Sequence, residues 1–365
     1  MSRELLKVEW QKVKQQKMVW VLLCLVFSIG LIFSFSRMGL SGTEWTNAPF
    51  EGKLTRDFVK QATEGKKRVM KNGITKAEQR EYDIYSQILK ADGRHQSQSQ
   101  RVDKLRQQAR SATSDIKKRK LEQEASLLAK IDYQHVGNYR TLDQFIVFLG
   151  VGGFALLAIV LTLVTATSFS REAQTGMLQL LYSSKHGRKD VLTAKLTLSI
   201  LLVTGIILVY NIVQWLLFFR QSSGWELPIQ FNYHDSPYPL TFGQLYLVAI
   251  LMQWLVGISL VMTFTFFSLL VRHVLAVLIL ASIWLIGPFI LEKFFGGIMA
   301  SETIRSLLLL TQGQSLMVFV LFRDYLAIPV FGQPIILPVV VIASSIATIF
   351  LFGWGCYKLV SRQSA

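Results

Sequence analysis

The feature that most limits what this chain can fold into is a set of six stretches without a single Asp, Glu, Lys or Arg: 18–36, 144–168, 196–219, 245–271, 274–291 and 334–357. Each is 18 residues or longer, long enough at 1.5 Å per residue to cross a hydrocarbon layer roughly 30 Å thick. In hydrocarbon a backbone must satisfy its own hydrogen bonds, so such stretches are expected as helices. The sequence thus predicts an all-α, multi-pass membrane protein with six transmembrane helices. A signal peptide is the alternative for 18–36, but the apolar run is long for one.

The charge lies between these stretches, and its distribution orients them. Lys7, Lys12, Lys14 and Lys17 precede the first run. Arg171, Lys185, Arg188, Lys189 and Lys195 lie between the second and third, Arg272 between the fourth and fifth, and Lys358 and Arg362 after the sixth. Six crossings put all of these on one face, which the excess of Lys and Arg makes cytoplasmic, both termini included. The formal net charge of +16 is accounted for by orientation and by attraction to anionic lipid. With no aromatic-basic RNA motif and no zinc-finger spacing, no nucleic-acid partner is expected.

Residues 1–17 form a basic amphipathic segment, with Leu6, Trp10 and Val13 at helical spacing, expected as an interfacial helix. Residues 37–143 are a large polar insert between the first two spans, expected outside the cell. It is predicted to be mainly helical, a coiled-coil-like hairpin. Thr75 to Glu78 has the form of a capping box, and Asn72-Gly73 and Asp92-Gly93 have the form of turns. Val102, Leu105, Ala109, Ala112 and Ile116 keep the spacing of a seam, and Leu121, Leu128 and Ile131 continue it in shifted register. The loop after the third span carries Trp225, Pro228, Pro237 and Pro239, and Gly287-Pro288 can kink the fifth span. In 292–333, Ile304 to Leu310 and Leu316 to Phe322 are too short to cross and are expected as re-entrant or interfacial helices. Cys24 and Cys356 each sit inside an apolar run and are expected to face lipid or pack; neither suggests a disulfide.

Catalytic signatures are missing. There is no GxxxxGK[ST], HExxH or GxSxG, and the five histidines are scattered, so neither a nucleotide, a metal nor an enzymatic activity is assigned to this chain. The spans lack the ionisable relay that proton-driven carriers need. Their neutral polar residues include Asn211 and Gln214 in the third, and Gln253, Thr263 and Thr265 in the fourth. Asn211, Gln214, Gln253 and Thr263 are candidates to line a translocation path; the commoner use of such residues is hydrogen bonding between helices, worth about 0.6–2 kcal/mol. Ala343 and Ala347 form a small-xxx-small pair that permits close helix approach.

The segment 169–195 differs from every other loop. It opens with Arg171 and Glu172, breaks at Gly176, carries Met177, Leu178, Leu180 and Leu181, and closes on Ser183, Ser184, Lys185, His186, Arg188 and Lys189. Half apolar and half basic, it is expected at the membrane surface as the place where a soluble partner grips the chain.

The order of elements and this segment together resemble the membrane subunit of type 2 ABC exporters. Members of that family have an interfacial N-terminal helix, six spans, a coupling helix between the second and third, and a re-entrant region after the fifth. Their coupling segment runs Glu, Gly, a Leu-rich turn, small residues, a basic residue and a later Lys. Here these are Glu172, Gly176, Leu180-Leu181, Ser183-Ser184, Arg188 and Lys195. Met177 and Lys185 stand where the family often has Thr and Pro. The resemblance implies a permease of a bacterial cell membrane working with a separate ABC ATPase subunit, which would bind the ATP and Mg, and with a second permease copy or a related chain. It implies that Leu180 and Leu181 fill a groove of the ATPase, that Arg188 and Lys189 pair with acidic residues on its rim, and that Glu172 fixes the segment to its own span. The expected cargo is amphipathic, a peptide or antibiotic. The alternative is an ATP-driven mechanotransmitter whose insert signals to a cell-envelope protein; a sensor that partners a kinase is a third.

Overall fold

The computed structural model describes residues 3–39, 52–72, 76–137, 140–177, 187–218, 224–295 and 302–362. Most of them are helical, as hydrocarbon demands of crossing segments. Helix α1 (Arg3–Gln15) is amphipathic, and α2 (Lys17–Gly39) is apolar on all sides. The two meet at Gln16 at 67°. Trp20 Nε1 donates to the Val13 carbonyl at 3.3 Å across the bend, and the Trp10 and Trp20 rings meet edge to face.

The insert contains α3 (Arg56–Asn72), α4 (Lys76–Arg110) and α5 (Asp115–Leu128). Strands β1 (Gly52–Lys53) and β2 (His135–Val136) pair antiparallel and draw its two ends together. One small core joins Ala62 and Val69 of α3 to Tyr85 and Ile88 of α4; a second joins Val102 to Ala125, Leu128, Ile131 and Tyr133. Gln98 Nε2 donates to the carbonyls of Leu128 and Ile131 at 2.8 and 2.9 Å, satisfying groups that the end of α5 leaves open. Asp92-Gly93 is not a turn. It lies inside α4, where buried Ala91 and the anchored Arg94 hold the helix on both sides and outweigh the roughly 1 kcal/mol that an interior Gly costs. The seam stops where α4 ends: Ile116, beyond the turn, is exposed. The expected box at Thr75 begins outside the described residues.

The remaining long apolar helices are α6 (Arg140–Val160), which runs through a π-helical turn at Leu161–Thr165 towards the short α7 (Ser170–Gln174), then α8 (Gly187–Phe218), α9 (Phe242–Leu270), α10 (Val274–Phe295) and, last in the chain, α13 (Leu337–Arg362). Among the described residues five helices are long and apolar enough to cross a membrane, six if the bent α1–α2 pair counts as one. Helix α9 is central: Phe242, Leu245, Val256, Leu260 and Phe264 are buried and share one core with Leu157, Val203, Ala281 and Val341 of its neighbours. Thr241 and Gln244 close a reciprocal capping box at its start.

Between α10 and α13 lie α11 (Glu302–Leu309), α12 (Gln312–Ser315), a 3-10 turn at Val318–Phe322, and a hairpin of β3 (Ala327–Val330) and β4 (Gln333–Ile336). Phe331 and Gly332 both take positive φ, as a tight two-residue hairpin loop requires. This hairpin was not expected from the sequence. Its second strand holds residues 334–336, which were expected to start the last span; the helix begins at Leu337 instead, with Pro338 in its first turn, where a missing N–H costs nothing. Gly313 of α12 sits against the backbone of α10, where an added Cβ would lie 2.2 Å from the Leu285 carbonyl oxygen.

The bundle has two distinct ends. At one, α1, α7 and the start of α8 gather with the last turns of α9 and α13, as in the cluster of Phe169, Val191, Leu192, Leu269, Cys356 and Val360. At the other, the insert rests on the loop before α9 and on the hairpin region. There Arg94 bonds the Gln230 carbonyl and reaches His234 Nδ1 at 2.6 Å, and Tyr325 donates to Gln123 Oε1 at 3.0 Å. Cys24 is exposed and Cys356 buried, both as free thiols.

Candidate coupling site

The approach to α7 is built by local backbone geometry. The Ala166 N–H bonds the Leu161 carbonyl at 2.8 Å, an i to i−5 step that widens the helix by one residue. Beyond Ser168, the N–H groups of Phe169 and Ser170 leave the ladder and both donate to Ser268 Oγ of α9, at 2.9 and 3.1 Å. The helix α7 that follows is therefore tied to α9. It ends at Gly176, whose φ of +71° is a conformation that side chains resist.

Glu172 points from α7 into a four-member ion cluster. Lys12 Nζ donates to Glu9 Oε1 and to Glu172 Oε1, each at 2.6 Å. Lys195 Nζ donates to Glu9 Oε2 and Glu172 Oε1, each at 2.9 Å, and to the Ser168 carbonyl at 3.2 Å. The Lys195 side chain is 4% exposed and both carboxylates 9%, whereas Lys12 remains about a third exposed at 34%. Two ammoniums and two carboxylates cancel, which is what permits their burial. Burial pushes the Glu9 carboxyl upward, but Lys195 and Lys12 outweigh it and hold its pKa below the ordinary 4.5. Burial likewise pushes Lys12 downward, and Glu172 and Glu9 outweigh that, raising it above 10.5. The cluster performs no bond chemistry. It is a clip that joins α1, α7 and the N-terminal part of α8.

Of the residues expected to form the partner-gripping segment, Glu172 is in this clip and Gly176 closes α7. Leu180, Leu181, Ser183 and Ser184 lie outside the described residues. Arg188 falls in the first turn of α8, and Lys189 beside it is exposed, its ammonium 4.9 Å above the Tyr357 ring.

The expected path residues are all buried, and hydrogen bonds hold three of them between helices. Asn211 accepts from Tyr246 at 2.8 Å, Gln253 donates to the Leu149 carbonyl at 3.0 Å, and Thr263 donates to Ser259 at 3.0 Å and to Gln312 Oε1 at 3.3 Å. Gln214 is 2% exposed, and its Oε1 takes no hydrogen bond. Thr265 is buried as well. Gln253 lies against the bare face of Gly153, where a Cβ would meet its Nε2 at 2.5 Å.

Sequence reasoning missed Glu9, Lys12, Ser268 and Gln312. Gln312 pins the short α12 through Ser259, Thr263 and Trp284. For Glu9 a signal existed. It falls on the same helical stripe as Leu6 and Val13, three residues after one and four before the other, and a carboxylate on a buried stripe needs a cation.

A family described as ABC-2 family transporter protein matches residues 3–334. No curated protein and no solved structure matches the chain.

Proposed function

The chain belongs to the ABC-2 family of transporter proteins, and from that premise we propose that it is the permease subunit of an ATP-binding-cassette exporter, driven by a separate ATPase. The family is a membrane transport component, not itself catalytic. ATP and Mg belong to the partner. The observation that carries the proposal is the buried clip of Glu9, Lys12, Glu172 and Lys195. An engine pressing on the bend after α7 needs a rigid connection to the crossing helices, and the clip with Ser268 ties that bend to α1, α8 and α9 at once. In this reading the clip end faces the cytoplasm with both termini and the insert lies outside. The permease pairs with a second copy or a related chain, and the cargo is an amphipathic peptide or antibiotic.

The test is co-purification with an ATP-binding-cassette ATPase from the same cells, then ATP hydrolysis and transport in liposomes for the wild type and for Leu180→Asp with Leu181→Asp. Expected is a folded permease whose transport falls at least tenfold while the ATPase alone keeps its basal turnover. Unchanged coupling would remove the segment from the mechanism.

A second reading is favoured by the docking of the insert. Its bonds from Arg94, Gln123 and Arg101 to the crown of the bundle would carry motion outward to a cell-envelope partner with nothing transported. Capture of a cell-wall hydrolase by the full-length chain, with no cargo accumulating in liposomes, would favour it.

A further inference from the structure

Two cavities meet behind α1. The larger, about 580 Å³, is apolar and runs between Leu6 and Trp10 of α1, Trp20 and Phe27 of α2, and Leu202 and Val209 of α8. The smaller, about 320 Å³, is polar, lies against the ion clip, and includes Arg171 and Gln16 in its wall. Leu198 lines both, so the two lie on either side of one side chain. Val209 and its neighbour Leu201, also a lining residue, are more than half exposed, so the apolar cavity opens sideways on the face that hydrocarbon would cover. Its floor has a gap at Gly205, where an added Cβ would have no atom within 4 Å.

The polar half is not electrically closed. The clip is neutral by itself, with Glu9 and Glu172 against Lys12 and Lys195. Arg171 stands beside it, exposed, and among the described residues its guanidinium meets no carboxylate. The pair of cavities therefore offers an apolar slot and, at its mouth, one uncompensated cation with the planar donor fork that suits phosphate. An acyl chain is no happier in such a slot than among other acyl chains, so a lipid held in preference to bulk lipid must be held by its headgroup.

We propose that one phospholipid occupies this paired cavity, an acyl chain along Leu202 and Val209 and its phosphate on Arg171, wedging α1 and α2 against α8. The proposal needs only that the chain spans a membrane, and it stands or falls apart from the ATPase reading.

The first test uses the wild-type full-length chain in liposomes with a phospholipid carrying a photoreactive diazirine in its acyl chain. Label concentrated in 20–27 and 198–210 is expected; label spread equally over Leu247, Leu251, Phe350 and Leu351 would overturn the proposal. The second is native mass spectrometry of the delipidated chain titrated with dioleoylphosphatidylglycerol or dioleoylglycerol. The phospholipid should bind at least tenfold tighter, and Arg171→Gln should erase the difference. Gly205→Trp should abolish binding of both, while Leu351→Trp on another exposed face leaves it unchanged. Equal affinity of the two lipids for the wild type overturns the phosphate assignment, and a folded Gly205→Trp that still binds overturns the slot. Release of the lipid by an equimolar amphipathic peptide would make the slot a cargo entrance and overturn the proposal too. If Gly205→Trp does not fold, the wild-type labelling map decides alone.

Discussion

Lys195 is the residue on which the clip depends. It is the most buried of the four and the only one that touches Glu9, Glu172 and the Ser168 carbonyl together. Lys195→Met should leave two buried carboxylates sharing only Lys12, itself about a third exposed, at a cost of about 3–5 kcal/mol. Denaturant unfolding in mixed micelles measures it, and adding Glu9→Gln should recover part of the loss because the two sites are coupled. The pH dependence follows from the directions of the shifts. Glu9 titrates below its ordinary 4.5 in the folded chain, so its contribution is present above that value and is lost as pH falls through the lowered pKa. Lys12 titrates above 10.5, so its contribution is present below that value and is lost as pH rises through the raised one. A nitroxide at Val8→Cys, on the exposed face of α1, should show unchanged mobility across the interval between and a sharp gain only on strong acidification or strong alkalisation.

At the scale of elements, α7 is short and has little stability of its own; its position is borrowed from α9. Ser268→Ala removes the acceptor shared by the Phe169 and Ser170 N–H groups and leaves both buried without a partner. That should cost about 1–3 kcal/mol, and faster hydrogen exchange confined to 168–177 is the measurement. The bend at Gln16 is another borrowed geometry: α1 lies across the bundle because Glu9 and Lys12 are held there, not because the backbone between α1 and α2 is unusual. Element types were largely legible in the sequence, because crossing helices and an amphipathic N-terminus announce themselves by hydrophobic pattern alone. The β3–β4 hairpin was not, since Pro329 and Pro334 sit in strands only because those strands form a two-member sheet with free edges.

At the scale of the whole molecule, the insert is not an independent body on a tether. Arg94 joins the Gln230 carbonyl and His234, and stacks over Phe231; Ala91 and Leu127 belong to the main core or pack on it. Arg94→Ala should therefore loosen α4 near its middle and the loop 229–236 together, seen as a joint rise in hydrogen exchange, while α1 and α7 at the far end stay protected. A rise confined to the loop would mean that the insert is held by other contacts.

What the chain by itself determined was where charge is absent and where it gathers: the long apolar helices and the helical character of the insert. These depend on local composition, since hydrocarbon tests each stretch of about twenty residues separately. The tertiary structure decided which distant charges meet. Glu9 and Lys195 are 186 residues apart, and Phe169 reaches Ser268 across 99. No periodicity encodes such pairs, because a buried charge specifies only that a partner must exist and the packing of α1, α7 and α8 chooses which one.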